Sequence, residues 1–286
     1  MSQTSQVQAS SQVQTSQVKE RTARRVRHET KTRLLQVREV NSLTPQMVRI
    51  VVGGDALTGF ISAAHDDHIK VFFPQPGQDK PVLPALSPNG PVYPEGAPRP
   101  AARDYTPRRY DAATNTLTID FVLHGDGPAT TWAARARPGN FLGVGGPRGS
   151  FIVPDDFDWY LLAGDETALP AIGRRLEELP AGARAIVVAE VANAADEQHF
   201  DTRARVETHW LHRDGGEPGN QALLQKALAG LQLPPGEGYA WVAAEAGTAK
   251  ALRRYLVDQR GLPKDRVKAA AYWKKGAVAV HETYDD

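Results

Sequence analysis

The sequence predicts a protein of the β + α/β class, in which an antiparallel β-barrel domain is followed by a smaller α/β domain with a parallel sheet. Three observations lead to this prediction. The 286 residues are enough for two domains that each bury a core. Between Leu34 and about Pro154, short strand-like runs are separated by turns, with little helix, as in antiparallel barrels. From Asp158 onward, continuous apolar runs alternate with amphipathic helical segments, which is typical of a parallel sheet covered on both faces.

The barrel domain is predicted to span residues 34–155 and rests on four segments that alternate or run β-branched: LLQVREV, MVRIVVGG, HIKVFFP and TLTIDFVLH. Residues 74–100 lie between the last two segments and are rich in proline and glycine, so we expect a long loop there. Loops of that length are uncommon in compact domains unless they are functional or disordered.

The α/β domain is predicted to span residues 156–286, because strand and helix patterns alternate there. The buried-strand segments are DWYLLAG, ARAIVVAEV, GYAWVAAE and VKAAAYWKKG. The helical segments are ALPAIGRRLEEL, NQALLQKALAGL and GTAKALRRYLVDQRG. This alternation favours parallel strands joined by helical crossovers.

Residues 1–33 are predicted to be a leader outside both domains. Residues 1–18 repeat Ser, Gln and Val and have no bulky core residue, so we expect them to be disordered. Residues 19–33 contain seven Lys or Arg and two Glu. We interpret this basic stretch as solubilising. The alternative, contact with nucleic acid or another anionic surface, is disfavoured because no aromatic residue offers a platform for base stacking.

Composition narrows the chemistry. The chain has no cysteine, which excludes disulfides, cysteine-ligated zinc, protein-bound iron–sulfur clusters and a cysteine nucleophile. Redox chemistry would therefore require an organic cofactor or a bound metal complex. We see no apolar run of about 18 residues and no secretory signal, so we expect no membrane span and a cytoplasmic location. The HDDH run at 65–68 is interpreted as a solvated turn rather than a metal site.

The first motif with chemical content is RDYTPR at 103–108. On a strand, Arg103 and Tyr105 would share one face, where Arg can pair with phosphate and Tyr can lie against a planar ring. Thr106 could bond a ring edge or a ribose. Alone, however, the motif is better explained as a surface strand with a partly buried tyrosine.

The second motif, HGDGPATTWA at 124–133, is a turn followed by the start of a helix. Backbone N–H groups at a helix start can bind a pyrophosphate, and the hydroxyls of Thr130 and Thr131 could assist. An ordinary capped helix after a tight turn is the alternative. The third motif, GVGGPRGSF at 143–151, permits close backbone approach but by itself resembles a domain linker.

The fourth motif, AGDETALPAI at 163–172, is a strand, a turn and a helix start, where ligands bind in nucleotide-binding sheets. The G-x-G-x-x-G fingerprint is absent, and the acids Asp165 and Glu166 would repel a pyrophosphate lodged in this turn. A pure Rossmann interpretation is therefore disfavoured.

Taken in order, RDYTPR, HGDGPATTWA, GVGGPRGSF and AGDETALPAI resemble the siderophore-interacting protein family of flavin reductases, and AAYWKKG resembles its C-terminal strand motif. The resemblance covers residues 30–280 approximately. It implies a fold like that of ferredoxin–NADP reductases, with an FAD-binding barrel followed by an NAD(P)H-binding α/β domain.

The resemblance also implies site residues. The FAD-binding candidates are Arg103, Asp104, Tyr105, Thr106, His124, Gly127, Pro128, Ala129, Thr130 and Thr131. The candidates beside the flavin and the nicotinamide path are Asp165, Glu166, Thr167 and Ala168, with Glu245 and Ala246 on the NAD(P)H side. The substrate-binding candidates are Lys70, Lys274 and Arg135. Arg135 is included because many members of the family have an arginine near Thr131, where this chain has threonine.

The implied activity is FAD-mediated reduction of a ferric siderophore by NAD(P)H, in which flavin accepts a hydride and passes on single electrons. Alternatives are a flavin reductase for another acceptor, a siderophore-binding protein without turnover, and a DNA-associated protein acting through residues 19–33. Reduced ferredoxin is a possible donor, and a monomer is expected. Arg203, Arg205 and Arg213 are all candidates for choosing between NADPH and NADH.

Overall fold

A computed structural model describes residues 21–88, 90–125, 127–277 and 282–284. The first half contains strands β1 (Arg24–Arg27), β2 (Thr32–Thr44), β3 (Met47–Gly53), β4 (Ile69–Phe73), β5 (Ala85–Ser87), β6 (Gly90–Val92), β7 (Ala101–Tyr105), β8 (Arg109–Asp111), β9 (Thr116–Val122), β10 (Phe141–Gly145) and β11 (Gly149–Ile152), and helix α1 (Pro128–Ala133). The second half contains strands β12 (Trp159–Gly164), β13 (Arg184–Val191), β14 (Arg205–His212), β15 (Gly238–Glu245), β16 (Val267–Trp273) and β17 (Glu282–Tyr284), and helices α2 (Leu169–Glu178), α3 (Gln221–Gly230) and α4 (Ala246–Arg254).

The first half forms a seven-stranded antiparallel sheet in the order β7-β4-β10-β2-β3-β9-β8. The sheet curls, since the Tyr105 ring on edge strand β7 contacts the Phe121 ring on β9 at a centroid distance of 4.4 Å. Alternate residues such as Ile50, Val52 and Ile119 point inward and are fully buried. The predicted antiparallel barrel is therefore confirmed, in half-barrel form.

The second half forms a six-stranded sheet in the order β14-β13-β12-β15-β16-β17. All neighbours are parallel except β16 and β17. Helix α2 packs one face through residues such as Ile172, whereas α3 and α4 pack the other through Leu228 and Leu252. The predicted parallel α/β domain is confirmed. Because the strand order reverses between β12 and β15, ligands are expected at the carboxyl ends of these two strands.

Several strands were not predicted, among them β14 and β1. Strand β14 (RVETHWLH) lies at the sheet edge and is half-exposed, so its sequence lacks the apolar run of a buried strand. Strand β1 lies in the predicted leader but pairs with β11, so this part of the leader, before residue 34, has regular structure. Residues 1–20, including the Ser-Gln-Val repeat, lie outside the described residues. The boundary at residues 155 and 156 stays a prediction.

The glycine-rich motif at 143–151 permits the close approach that its composition suggested. A Cβ on Gly149 would lie 2.5 Å from the carbonyl oxygen of Val26 in β1. A Cβ on Gly143 would overlap the side chain of Leu83 in the proline-rich loop. That loop contains the β5–β6 hairpin, so it is not wholly irregular. The motif spans β10 and β11 rather than serving only as a linker.

The HDDH run is not a solvated turn, because His65, Asp66 and Asp67 are all buried at the contact between the domains. Asp66 accepts hydrogen bonds from the Tyr272 hydroxyl at 2.7 Å and from Lys268 Nζ at 2.8 Å, and both of these residues lie on β16. We call these five residues the junction network. Their burial results from the docking of β16, which local sequence does not reveal.

Further contacts join helix α2 to the barrel. Arg174 donates hydrogen bonds to the Ser62 hydroxyl at 2.7 Å and to the Pro107 carbonyl at 2.9 Å. Arg108 forms a bidentate ion pair with Glu177 of α2. These charge-assisted contacts hold the two halves in one arrangement. Among the described residues, no helix combines the length and apolarity needed to cross a membrane.

Candidate functional site

A cavity of about 300 Å³ lies where the half-barrel meets the parallel sheet, and we call it the junction cavity. It is lined by His68, Arg103, Asp104, Tyr105, Thr106, Asp120, Val122, His124, Gly127, Pro128, Ala129, Thr130, Thr167, Pro170, Tyr272, Trp273, Lys274 and Ala277. Its volume is in the range of small-molecule sites. Eleven of the candidate site residues therefore come together in one cavity.

Strand β7 supplies the cationic and aromatic part of the wall. Arg103 and Tyr105 alternate along the strand, and Thr106 follows its end. Burial raises the pKa of the Tyr105 phenol, so this group is neutral at physiological pH. Thr106 is buried and shares a side-chain hydrogen bond with Tyr272 of β16, so the two domains meet within this wall.

Asp104 and Lys70 are directly opposite each other on β7 and β4. Lys70 Nζ lies 2.7 Å from the Asp104 carboxylate, and the lysine side chain is 41% exposed. Lys70 does not line the junction cavity. Its charge is therefore already compensated, which weakens the expectation that it attracts an anionic substrate.

The turn before α1 and the start of the helix line the cavity with His124 and residues 127–130. The Thr130 hydroxyl donates a hydrogen bond to the His124 carbonyl at 2.9 Å, which closes the turn, and no side chain caps the start of α1. Thr131 points away from the cavity lining, and Arg135 is exposed beyond the helix. The structure therefore does not bring Thr131 or Arg135 into the cavity wall.

Asp165 follows β12 and is buried beside the cavity. Its carboxylate accepts hydrogen bonds from the Thr167 backbone N–H at 3.0 Å and hydroxyl at 2.5 Å, and from the Trp273 indole at 2.8 Å. Burial, together with the neighbouring charge of Glu166, raises the pKa of Asp165 to about 6. Gly164 before it is required by packing, since a Cβ there would overlap the Ala243 carbonyl of β15.

Glu166 lies in a second cavity of about 710 Å³, which we call the edge cavity because it lies beside the carboxyl ends of β13 and β14. Arg213 donates hydrogen bonds to both carboxylate oxygens of Glu166, at 2.6 Å and 2.7 Å, and to Glu190 at 3.2 Å. We call Asp165, Glu166, Glu190 and Arg213 the edge cluster. Burial, followed by the charge of Asp165, raises the pKa of Glu190 to about 7.

The two cavities adjoin each other, because His124 lines both and the consecutive residues Glu166 and Thr167 line one each. Glu245 and Ala246 line neither. Instead, the Glu245 carboxylate accepts hydrogen bonds from the Gly247 and Thr248 N–H groups and caps helix α4. Ala168 is fully buried under the same turn.

Sequence reasoning missed several residues of these cavities. Tyr272 and Trp273 lie in the AAYWKKG segment, which was noted as a motif but given no role. Glu190 gave no local signal, because its importance comes from its contact with Arg213 across neighbouring strands. Among the described residues, no group of three or more His, Cys, Asp or Glu could hold a metal ion.

Comparisons with known proteins agree with this architecture. A family model described as siderophore-interacting FAD-binding domain matches residues 36–151, and one described as siderophore-interacting protein matches residues 157–276. The NADPH-dependent ferric-chelate reductase of Escherichia coli (strain K12) is 40% identical over 252 residues, which cover 87% of this chain and 95% of that protein. The ferric vibriobactin reductase ViuB of Vibrio cholerae is 36% identical over 257 residues, which cover 87% of this chain and 93% of that protein.

A solved structure extends the agreement to three dimensions. The crystal structure of a siderophore utilization protein from T. fusca has a TM-score of 0.83 and 42% sequence identity, and the match covers 90% of this chain and 98% of that one. The matched domains follow the same order as the half-barrel and the parallel sheet. The chain therefore belongs to the siderophore-interacting protein family.

Proposed function

We propose that this protein uses NAD(P)H and FAD to reduce the ferric iron of a siderophore. The observation that supports this most directly is the junction cavity, where Arg103, Tyr105 and Thr106 of β7 face Trp273 and Lys274 of the α/β domain. This is the topological position at which a flavin of the barrel domain would meet a pyridine nucleotide at the carboxyl ends of the parallel strands.

The lining of the junction cavity fits FAD. Tyr105 and Trp273 offer aromatic surface for a planar ring, and Arg103 offers a cation for phosphate. The backbone N–H groups after Gly127 have no side-chain cap and can donate hydrogen bonds to an anionic group. We propose that these residues, with Thr106, His124 and the 127–130 turn, hold the cofactor. When bound, FAD supplies the conversion of a two-electron hydride into single electrons for ferric iron.

The edge cavity fits the pyridine nucleotide, because it lies at the carboxyl ends of β13 and β14 and adjoins the junction cavity. Arg213 lies at this end of β14. Arg203 and Arg205 lie at the opposite end of the strand, so we propose that neither reads the nucleotide. Asp165 fixes the positions of Thr167 and Trp273, which line the junction cavity, through hydrogen bonds to both.

We propose that the electron acceptor, the ferric siderophore, binds at the exposed mouth of the junction cavity. Lys274 is exposed there, and no described carboxylate forms an ion pair with it. Its charge is therefore available to attract an anionic ferric siderophore to the open face of the cofactor. Ferrous iron binds hard oxygen ligands more weakly than ferric iron, so reduction would loosen the metal.

We further propose that the protein acts as a monomer in the cytoplasm, with reduced ferredoxin as the alternative electron donor. We propose that the boundary between the cofactor domain and the nucleotide domain lies at residues 155 and 156. Residues 19–33 are proposed to have no nucleic-acid partner, since Arg21 is engaged by Asp158 and Glu237 rather than displayed to solvent.

The visible absorption spectrum of the purified protein tests this function. We expect flavin bands that bleach when NADPH or NADH is added without oxygen and that recover when a ferric siderophore is added, with ferrous iron trapped by a chelator. Bleaching without recovery would leave a flavin reductase with a different acceptor. A colourless protein that does not bind added FAD would overturn the proposal and favour a siderophore-binding role.

A further inference from the structure

The edge cavity has an unusual balance of charge for a site that receives an anionic nucleotide. Among the described residues that line it, Arg213 is the only Lys or Arg, whereas Glu166 and Asp214 are both acidic. Glu190 adds a third carboxyl group immediately behind Arg213. In the proposed function, NAD(P)H would therefore bind in a cavity whose acidic side chains outnumber its cationic ones.

Arg213 lies where the ribose of the donor NAD(P)H is expected. In sheets with this strand order, a dinucleotide lies across the carboxyl ends of the strands. The group at the 2′ position of its ribose is read by an acid or by a nearby arginine at the end of the second strand. Here the second strand is β13, which ends at Val191, and Arg213 directly follows the neighbouring strand β14.

The guanidinium of Arg213 is already occupied. Both of its terminal nitrogens donate to Glu166, at 2.6 Å and 2.7 Å, and the arginine side chain is only 6% exposed. A bidentate pair of this kind is among the stronger side-chain interactions. A 2′-phosphate that approached Arg213 would have to displace the Glu166 carboxylate or accept its repulsion.

Glu166, rather than Glu190, is the effective competitor. Glu190 makes a single contact with Arg213 at 3.2 Å, and one of its carboxyl oxygens is buried without a hydrogen-bond partner. Because the pKa of Glu190 is raised to about 7 by burial, this group is partly neutral at physiological pH and holds the cation less strongly. Glu166 is also nearer to solvent, so it can withdraw from the pair.

We propose that Glu166 is a specificity-determining residue: by holding Arg213, it withholds the cation of the edge cavity from the 2′-phosphate of NADPH and thereby moves the preference of the protein toward NADH. This inference rests on the proposed function, because it assigns the edge cavity to the donor. It predicts that the 2′-phosphate adds little to binding in the native protein and that loss of the Glu166 charge makes it favourable.

The test compares two nucleotide fragments that lack nicotinamide, adenosine 2′,5′-bisphosphate and 5′-AMP, whose dissociation constants are measured by titration calorimetry with the FAD-loaded protein. In the native protein we expect the two constants to agree within about threefold, since the engaged arginine offers little to the extra phosphate. In Glu166→Gln we expect the ratio to change by at least about tenfold in favour of the bisphosphate. The ratio of kcat/KM for NADPH to that for NADH should rise in parallel.

Two further variants test whether the change in the binding ratio depends on the pair of Glu166 and Arg213. In the double variant Glu166→Gln with Arg213→Met, the bisphosphate should lose the advantage that it gains in Glu166→Gln, because its 2′-phosphate then has no cation to bind. Glu207→Gln makes the same charge change at an exposed position of β14 outside the cavity, and it should leave the ratio as in the native protein. A native protein that already favours the bisphosphate by tenfold or more, or an unchanged ratio in Glu166→Gln, would overturn this inference. If the flavin still bleaches with NADH in that case, the proposed function stands; if neither donor bleaches it, both fail.

Discussion

Two groups of buried acids in this molecule differ in how their charges are compensated. In the junction network, Asp66 has a lysine at 2.8 Å and a tyrosine hydroxyl at 2.7 Å. Burial alone would raise the pKa of Asp66, but the charge of Lys268 and the hydrogen bonds outweigh it, so the pKa is lowered. In the edge cluster, Glu166 and Glu190 share Arg213, whereas Asp165 accepts hydrogen bonds from Thr167 and Trp273. Burial raises the pKa of Asp165 to about 6 and that of Glu190 to about 7.

The difference follows from what each group does. The junction network lies where the two halves of the molecule meet, and there Asp66 and Lys268 compensate each other. The edge cluster borders a cavity, where incompletely compensated acids respond to a ligand or to pH. Strongly shifted pKa values of this kind are common at functional sites. The comparison therefore separates acids that maintain the structure from acids that can take part in binding.

We expect the largest effect from removing the buried acid Asp66 of the junction network. Asp66→Ala would leave Lys268 buried without its partner, so we expect a loss of about 3–5 kcal/mol in the free energy of unfolding. Urea denaturation measures it. Glu29→Ala, which removes an exposed ion pair with Lys31, is the control and should cost less than about 1 kcal/mol. Equal losses in the two variants would show that the junction network does not hold the domains together.

An intermediate effect is expected from the pH dependence of the edge cluster. Glu190 titrates near 4.5 when unfolded and near 7 when folded, so between these values the folded state binds more protons. The contribution of Glu190 to the free energy of unfolding is therefore fully present below pH 4.5 and is lost as the pH rises through 7. We expect this loss to be roughly 2–3 kcal/mol.

Glu190→Gln should flatten that slope, because the amide does not titrate. Thermal or urea unfolding from pH 5 to pH 8 measures the slope in both proteins, with Glu207→Gln as the control at an exposed site. A native slope that survives unchanged in Glu190→Gln would mean that Glu190 is not the source of the pH dependence.

We expect the smallest effect from two exposed lysines, one with an acidic partner and one without. Lys274 has no described carboxylate partner, whereas Lys70 is paired with Asp104. We expect Lys274→Ala to raise KM for an anionic ferric siderophore by about threefold at physiological salt, and Lys70→Ala to raise it less than about twofold. Steady-state kinetics at two salt concentrations measures this. A larger effect for Lys70 would restore it as a substrate-binding residue.

Much of the fold could be predicted because burial is visible in local sequence. Strands such as β13 and β15 are buried on both faces, so their apolar runs are continuous. Edge strand β14 escaped prediction because none of its residues is fully buried. Strand β1 was read as part of a leader because its arginines are exposed and its order comes from pairing with β11, more than one hundred residues later.

The candidate site could be predicted in part. The motif at 103–106 and the turn at 127–130 line the junction cavity, as their residue types suggested. Lys70, Thr131, Arg135, Glu245 and Ala246 do not line it, because strand pairing, helix rotation and capping decide where each side chain points. The buried HDDH run was misread for the same reason.

By itself, the sequence determined the order of the two domains, the absence of cysteine chemistry and the motifs that indicate a flavin reductase. The domain order depends on short-range periodicity and the absence of cysteine chemistry on composition, whereas the motifs indicate a flavin reductase through their resemblance to a known family. Only the tertiary structure decided which charges are compensated: Glu166 meets Arg213, and Asp66 meets Lys268, across separate strands. The reason is physical, since the energy of a charge depends on its burial and its partners, and both exist only after the chain has folded.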